Sequence, residues 1–202
     1  FSRVVKRAVA TAPNREEELA HLELLGDMLT DAYWYEDGLK LADAVLAQPD
    51  ISDGLRAKCH YWRSSRLSIL GRHQESLDEA DKALALNNTI LRCHFRRCKS
   101  LYYLKRYDPS LRAALAFVRG TDLHASRNAF NYFQESVIKA FVCSRAIAKP
   151  YAYELASEAI VALLDMKPEY TYAGWWLRLG FVQLRAGHAD RAVRSLERAV
   201  DL

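Results

Sequence analysis

"GRHQESLDEADKALAL", residues 71–86, and "GHADRAVRSLERAVDL", residues 187–202, share one spacing. Each opens on a glycine, Gly71 or Gly187, and carries a small residue five positions later, Ser76 or Ala192. Ala80 or Leu196 follows, and then Ala83 or Ala199. Apolar residues recurring at three and four place one face of a helix against a core, and a glycine just before such a run marks the turn that starts it. Beyond these two segments the same period runs through the chain, with only eight glycines and no alternating strand pattern. The chain therefore reads as all helix, built from an internal repeat.

Repeats started at 19, 57, 91, 137 and 173 bring the small residues into two columns. One column holds Gly26, Ser64, Cys98, Ser144 and Gly180 at the eighth position; the other holds Gly38, Ser76, Ser110, Ala156 and Ala192 at the twentieth. Helices approach to about 8 Å only where the facing side chains are short, so these columns mark a seam between two helices. A ring falls at the seventeenth position in Tyr35, His73, Tyr107 and Tyr153, and Ala189 breaks that pattern. The last repeat carries "WLRLG" at 176–180.

The chain resembles the tetratricopeptide repeat family, a helix-turn-helix unit of about 34 residues with this distribution of large and small positions. The resemblance implies a right-handed superhelical solenoid of antiparallel helix pairs covering residues 1–202 as a single array. Residues 1–13, with Ala8 and Pro13, match the second helix of a preceding repeat, and the whole is expected to be a piece of a longer chain. The dozen extra residues before 137, around "TDLHASRNAFNYFQES", lengthen the fourth repeat's first helix from about residue 124, since no breaker occurs until Pro150.

Composition agrees with a helical scaffold. With 50% apolar and 27% charged residues the chain is ordinary for a globular protein, and no apolar run approaches the roughly 20 residues of a membrane span. The start, "FSRVVKRAVATAP", lacks the features of a secretion signal. Four cysteines without a CxxC pair point to a reducing compartment, cytoplasm or nucleus. The net charge of +4 is sorted along the chain. Residues 14–53 hold eleven acids against Arg15 and Lys40, whereas 54–73 hold five basic residues and 89–107 hold six, with no acid in either. Sorted charge favours an oriented partner surface.

"RCHFRRCKSLYY", residues 92–103, raises the chemical alternatives. Cys93, His94 and Cys98, with Cys59 and His60 one repeat earlier, look like a metal set. However, His60 and His94 fall on the large fourth position and Cys98 on the small eighth. Equivalent atoms of stacked repeats lie about 10 Å apart, whereas zinc needs every ligand within about 2.3 Å. Packing explains these residues, so no metal and no cofactor are expected. No nucleophile elbow, phosphate loop or HExxH motif occurs either, and no enzymatic activity is expected.

The family resemblance implies that first helices line a concave groove with positions 2, 5, 6, 9 and 12. That assigns to a peptide- or anion-binding groove Lys58, Tyr61 and Trp62 from the second repeat and Arg92, Phe95, Arg96, Lys99 and Tyr102 from the third. Glu23, Leu24 and Asp27 make its acidic end, and Ile138, Phe141, Val142 and Arg145 an apolar one. Arg63 and Arg97 occupy a position usually held by buried leucine, so each either snorkels or pairs with an acid such as Asp78, Glu79 or Asp81. Co-chaperones of this family hold a terminal carboxylate through a five-residue clamp. Here Arg92 and Arg96 match it, but Glu23 and Asp27 oppose its charge and Trp62 replaces its asparagine, which disfavours that ligand.

Three readings follow. The first is a non-catalytic adaptor, a member of a larger complex, that holds a partly acidic protein segment in the groove, since arginine forks backed by rings suit carboxylates. The second is RNA binding through the basic and aromatic residues, opposed by the neighbouring −9 segment. The third is a structural spacer.

Overall fold

The structure, a computed structural model, describes residues 17, 20, 21, 24, 25, 34–48, 51–121, 129–166 and 172–202. The expected helix in 1–13, the small residue Gly26, the acidic pair Glu23 and Asp27 and the insertion segment 122–128 lie outside the described residues.

Among the described residues every regular element is helical. The helices are α1 (Tyr35–Leu46), α2 (Asp53–Ile69), α3 (His73–Leu86), α4 (Leu91–Tyr103), α5 (Tyr107–Gly120), α6 (Ala129–Ile147), α7 (Pro150–Met166), α8 (Ala173–Ala186) and α9 (Ala189–Val200). The chain divides into two compact units, Phe1–Ser100 and Leu101–Leu202.

In the first unit α2 packs on α1 and on α3. Helix α1 buries Gly38, Leu41, Ala42 and Val45, the three-and-four spacing of one inward stripe, and its first turn carries Glu36 and Asp37, which favour the positive end of the helix dipole. Ser52 caps α2 by accepting a hydrogen bond from the Leu55 N–H at 3.2 Å, which satisfies one of the donors a helix start leaves open. Leu41, Val45, Leu55, Cys59, Tyr61, Trp62 and Cys93 share one core cluster. Full burial of each large apolar side chain in it contributes roughly 1.5–3 kcal/mol before chain entropy is counted.

In the second unit α5 packs on α6, α6 on α7, α7 on α8 and α8 on α9, with α5 also reaching α7. Its core includes Leu111, Leu115, Phe117, Phe133, Val137, Tyr153, Ile160 and Val182. Short connections between sequential, mutually packed helices make each unit a stack of antiparallel pairs, the helical-repeat fold expected from the sequence.

The small columns lie where neighbouring helices meet. Ser64 on α2 donates to the Ser76 carbonyl at 2.8 Å, and Ser76 on α3 donates to the Ser64 carbonyl at 2.8 Å, so two buried hydroxyls tie two backbones together. Ser100 on α4 donates to Ser76 Oγ at 2.9 Å and joins a third helix to the pair. In the second unit a methyl group at Gly180 would come within 2.8 Å of Leu196 side-chain atoms and 3.3 Å of the Ala192 carbonyl oxygen. Cys143 on α6 points its thiol at Ser110 Oγ of α5, 3.5 Å away.

The turns repeat as well. Gly71 and Gly187 both adopt left-handed backbone, with φ of 77° and 97°. The next residue's N–H returns to the helix that has just ended: Arg72 to the Leu67 carbonyl at 2.9 Å and His188 to the Gln183 carbonyl at 2.8 Å. Between α4 and α5 the same hydrogen bond, Arg106 to the Leu101 carbonyl at 2.9 Å, is made with Lys105 in the left-handed position, at φ 59°. Between α6 and α7 the left-handed residue is Ala148, at φ 54°, and Pro150 opens α7, where its missing N–H costs nothing.

Candidate functional site

The basic and aromatic residues of the first unit separate by burial. Lys58 and Arg92 are exposed and Lys99 is half-buried, whereas Tyr61, Trp62, Phe95 and Arg96 are buried. Tyr61 and Trp62 belong to the core cluster, so their rings support the surface beside Lys58. The Arg96 guanidinium lies 5.2 Å from the Phe95 ring centroid, close enough for a cation–π contribution inside the fold. Tyr102 belongs to the second unit, half-buried, with Lys139 Nζ 5.0 Å from its ring centroid and 5.7 Å from that of Tyr103.

Arg63 and Arg97 both pair with acids of the neighbouring helix. Glu79, only 6% exposed, gathers three partners. Arg63 Nε donates to Oε2 at 2.9 Å, Lys82 Nζ to Oε1 at 2.8 Å, and His60 Nδ1 lies 2.8 Å from Oε2. Arg63 also pairs with Asp43 of α1. Burial by itself would push the Glu79 carboxyl up. The hydrogen bonds from His60 and Lys82 and the charge of Arg63 together outweigh it and hold the group at about 2. Arg97 Nε meets Asp81 at 2.9 Å.

Of the apparent metal residues the three cysteines sit in the core, and His60 and His94 are half-buried. Cys59, Cys93 and Cys98 are fully buried, and burial pushes the Cys93 thiol up to about 12, which keeps it protonated and a poor ligand. Burial likewise lowers His94, with the Arg97 charge adding to the effect. Among the described residues no three His, Cys, Asp or Glu side chains come together as a metal set. His60 is engaged by Glu79, a partnership that the repeat spacing did not single out.

The second unit carries a surface that the sequence pattern only partly marks. Phe141 of α6 and Phe181 of α8 stand 6.0 Å apart, edge to face, and Phe181 stands 6.0 Å from Tyr153 of α7. Arg145 and Arg178 each place their guanidinium carbon 5.9 Å from the Phe141 ring centroid, one from each helix. Arg178 also lies 5.1 Å from the Trp175 ring and donates to the Gly174 carbonyl at 2.9 Å. Around these rings Ile138, Leu177, Phe181 and Leu184 stay open, between 39% and 56% exposed. Phe141 and Arg145 are legible from the groove positions of the fourth repeat. Phe181, Arg178, Leu177 and Leu184 occupy the same positions of the fifth and were reachable by the same reasoning.

No protein-family model and no curated protein sequence matches the chain. Solved structures do match it. The structure titled "Crystal structure of MamA" aligns at a TM-score of 0.60 and 14% identity, covering 87% of this chain and 92% of that one. A second, "Crystal structure of MamA protein", aligns at 0.62 and 13% identity over 91% and 90%. A third, "MamA 41-end from Desulfovibrio magneticus RS-1", gives 0.58 and 17% over 91% and 94%. These are TPR-like helical-repeat proteins, and at such identities the likeness is one of fold. Among the described residues no helix is long and apolar enough to cross a membrane.

Proposed function

We propose that this chain is a non-catalytic protein-interaction scaffold whose first helices hold a partly acidic segment of a partner protein. The observation that supports it most is the surface chemistry of those helices. Each unit leaves cations exposed: Lys58 and Arg92 in the first, and in the second Arg145, with half-buried Arg178, against the Phe141 ring. Guanidinium groups fixed by rings, as in the second unit, offer forked donors to carboxylates at reduced entropic cost, and in that unit the open Leu177 and Leu184 offer area to apolar residues of a ligand. Arg96, being buried, acts from beneath this surface rather than as a direct contact.

The test uses single exposed positions, because a carboxylate placed at Arg96 would be buried and would disturb the fold. An acidic, leucine-containing peptide is titrated against the wild type, Arg92→Glu and Arg145→Glu by fluorescence anisotropy, beside an RNA oligomer of equal charge. The scaffold reading expects peptide binding that weakens about tenfold in at least one variant. Tight RNA binding with a steep salt dependence would establish the nucleic-acid reading in its place.

A further inference from the structure

Helix α9 carries a second charged surface, distinct from the first-helix face. Arg191, Arg194 and Arg198 recur at three and four, so they form one row along the helix, and all three are exposed. At 1.5 Å per residue the row spans about 10 Å. It borders a cleft of about 460 Å³ between α8 and α9, whose floor is made by Trp176, Leu179 and Gln183. Ser195, buried on the inward stripe of α9, donates to Gln183 Oε1 at 2.7 Å and so occupies the acceptor oxygen of that floor residue.

The row stands apart from the other arginine pairs of the protein. Arg63 meets Glu79, Arg97 meets Asp81, Arg112 meets Asp108 and Arg119 meets Glu158. Among the described residues none of the three α9 arginines makes an ion pair. Asp190 shares an adjoining hollow with Arg191 and Arg194 yet bonds to neither, and Glu197 also leaves them unpaired. Like charges at three and four destabilise a helix by a few tenths of a kcal/mol per pair, and among the described residues no direct ion pair offsets that cost. Trp176 adds a half-buried indole whose Nε1–H has no hydrogen-bond partner.

We infer that the α8–α9 cleft docks an acidic helix of a partner protein, with carboxylates in a matching i, i+3, i+7 row facing Arg191, Arg194 and Arg198 and an apolar side chain seated on Trp176 and Leu179. Charge complementarity selects this occupant. A row of three forks about 10 Å long fits the carboxylate spacing on one facing helix. A nucleic-acid strand carries charge continuously beyond that length, and Asp190 and Glu197 on the same helix, with Asp201 just after it, oppose its extension. This surface is independent of the first-helix face, so one chain engages two protein segments.

The probe is a stapled helical peptide with glutamates at i, i+3 and i+7 beside a leucine row. Its counterpart with glutamines in place of the glutamates and an RNA oligomer of equal charge serve as controls. Titrations compare the wild type with Arg191→Gln/Arg194→Gln/Arg198→Gln, with Arg194→Glu alone, and with Arg92→Glu, each checked by thermal melting. The expected result is binding of the glutamate peptide that falls at least about tenfold in the triple variant and in Arg194→Glu but not in Arg92→Glu. The glutamine peptide is expected not to bind, and the Trp176 emission change on binding is expected to disappear in Trp176→Phe. Wild-type affinity in the triple variant, failure of the wild type to bind the glutamate peptide, or tighter binding of the RNA would each overturn the proposal. Loss in Arg92→Glu with the triple variant unaffected would assign the peptide to the first-helix face and refute the cleft alone.

Discussion

Glu79 shows how one side chain holds three helical turns in place. It is nearly buried, it accepts from Arg63 and Lys82, and it faces His60, so removing its charge strands cations that the fold has partly desolvated. Glu79→Gln is expected to lower stability by about 2 kcal/mol at pH 7, read as a shift of the urea midpoint. The carboxyl is held at about 2 in the fold, below its ordinary 4.5, so its stabilisation is complete above pH 4.5 and fades as pH falls toward 2. The gap between wild type and variant is therefore expected to close at low pH. A gap that stays constant from pH 7 to pH 2.5 would show that the charge is not what matters.

Gly38 carries a different residue-level constraint. A methyl group there would overlap the side chain of Arg66, which is completely buried and donates to the Trp62 carbonyl at 2.9 Å. Alanine gains about 1 kcal/mol of helix propensity over glycine, while forcing a buried side chain aside costs about 1–3 kcal/mol. Gly38→Ala is expected to destabilise by about 1 kcal/mol, and the loss is expected to vanish in a background of Arg66→Ala, measured as a double-mutant cycle.

Among elements, three of the four left-handed turn residues described allow a graded comparison. Gly71 and Gly187 adopt positive φ without a Cβ clash, whereas Lys105 adopts it with one. Gly187→Ala is expected to cost about 1 kcal/mol, and Lys105→Gly to gain about 0.5 kcal/mol, the relief of strain being partly offset by the freer unfolded chain. Equal and opposite melting shifts would contradict that offset. Helix pairing offers a second element-level test. Ser76 is fully buried between Ser64 and Ser100, so Ser76→Val removes the two hydrogen bonds of its hydroxyl, to the Ser64 carbonyl and from Ser100, and adds volume at the seam of α2 and α3. A loss of about 3 kcal/mol is expected in denaturant unfolding.

At the scale of the molecule, each unit is a short stack of helix pairs, and stability in such stacks is the sum of pairs and their neighbours. Substitutions in one unit are therefore expected to add to those in the other. Glu79→Gln combined with Gly187→Ala should lose the sum of the single effects within about 0.5 kcal/mol, and a larger deviation would mean that the two sites are energetically coupled.

Residue type alone carried the helical class, the helical-repeat fold and, among the described residues, small side chains where helices meet, because a 3.6-residue period and the need for short side chains between close helices are local properties. It marked Gly71 and Gly187 as turns for the same reason, and it missed Lys105, whose type does not announce a left-handed backbone. It narrowed Arg63 and Arg97 to two alternatives, and only the packing of α2 on α3 and the reach of Asp81 selected the paired one. Tertiary structure alone decided which of the basic and aromatic residues are surface and which are core. A position on a helix face fixes direction, but whether another helix covers that direction depends on contacts distant in sequence, which is why Tyr61, Trp62, Phe95 and Arg96 turn inward while Lys58 and Arg92 meet solvent.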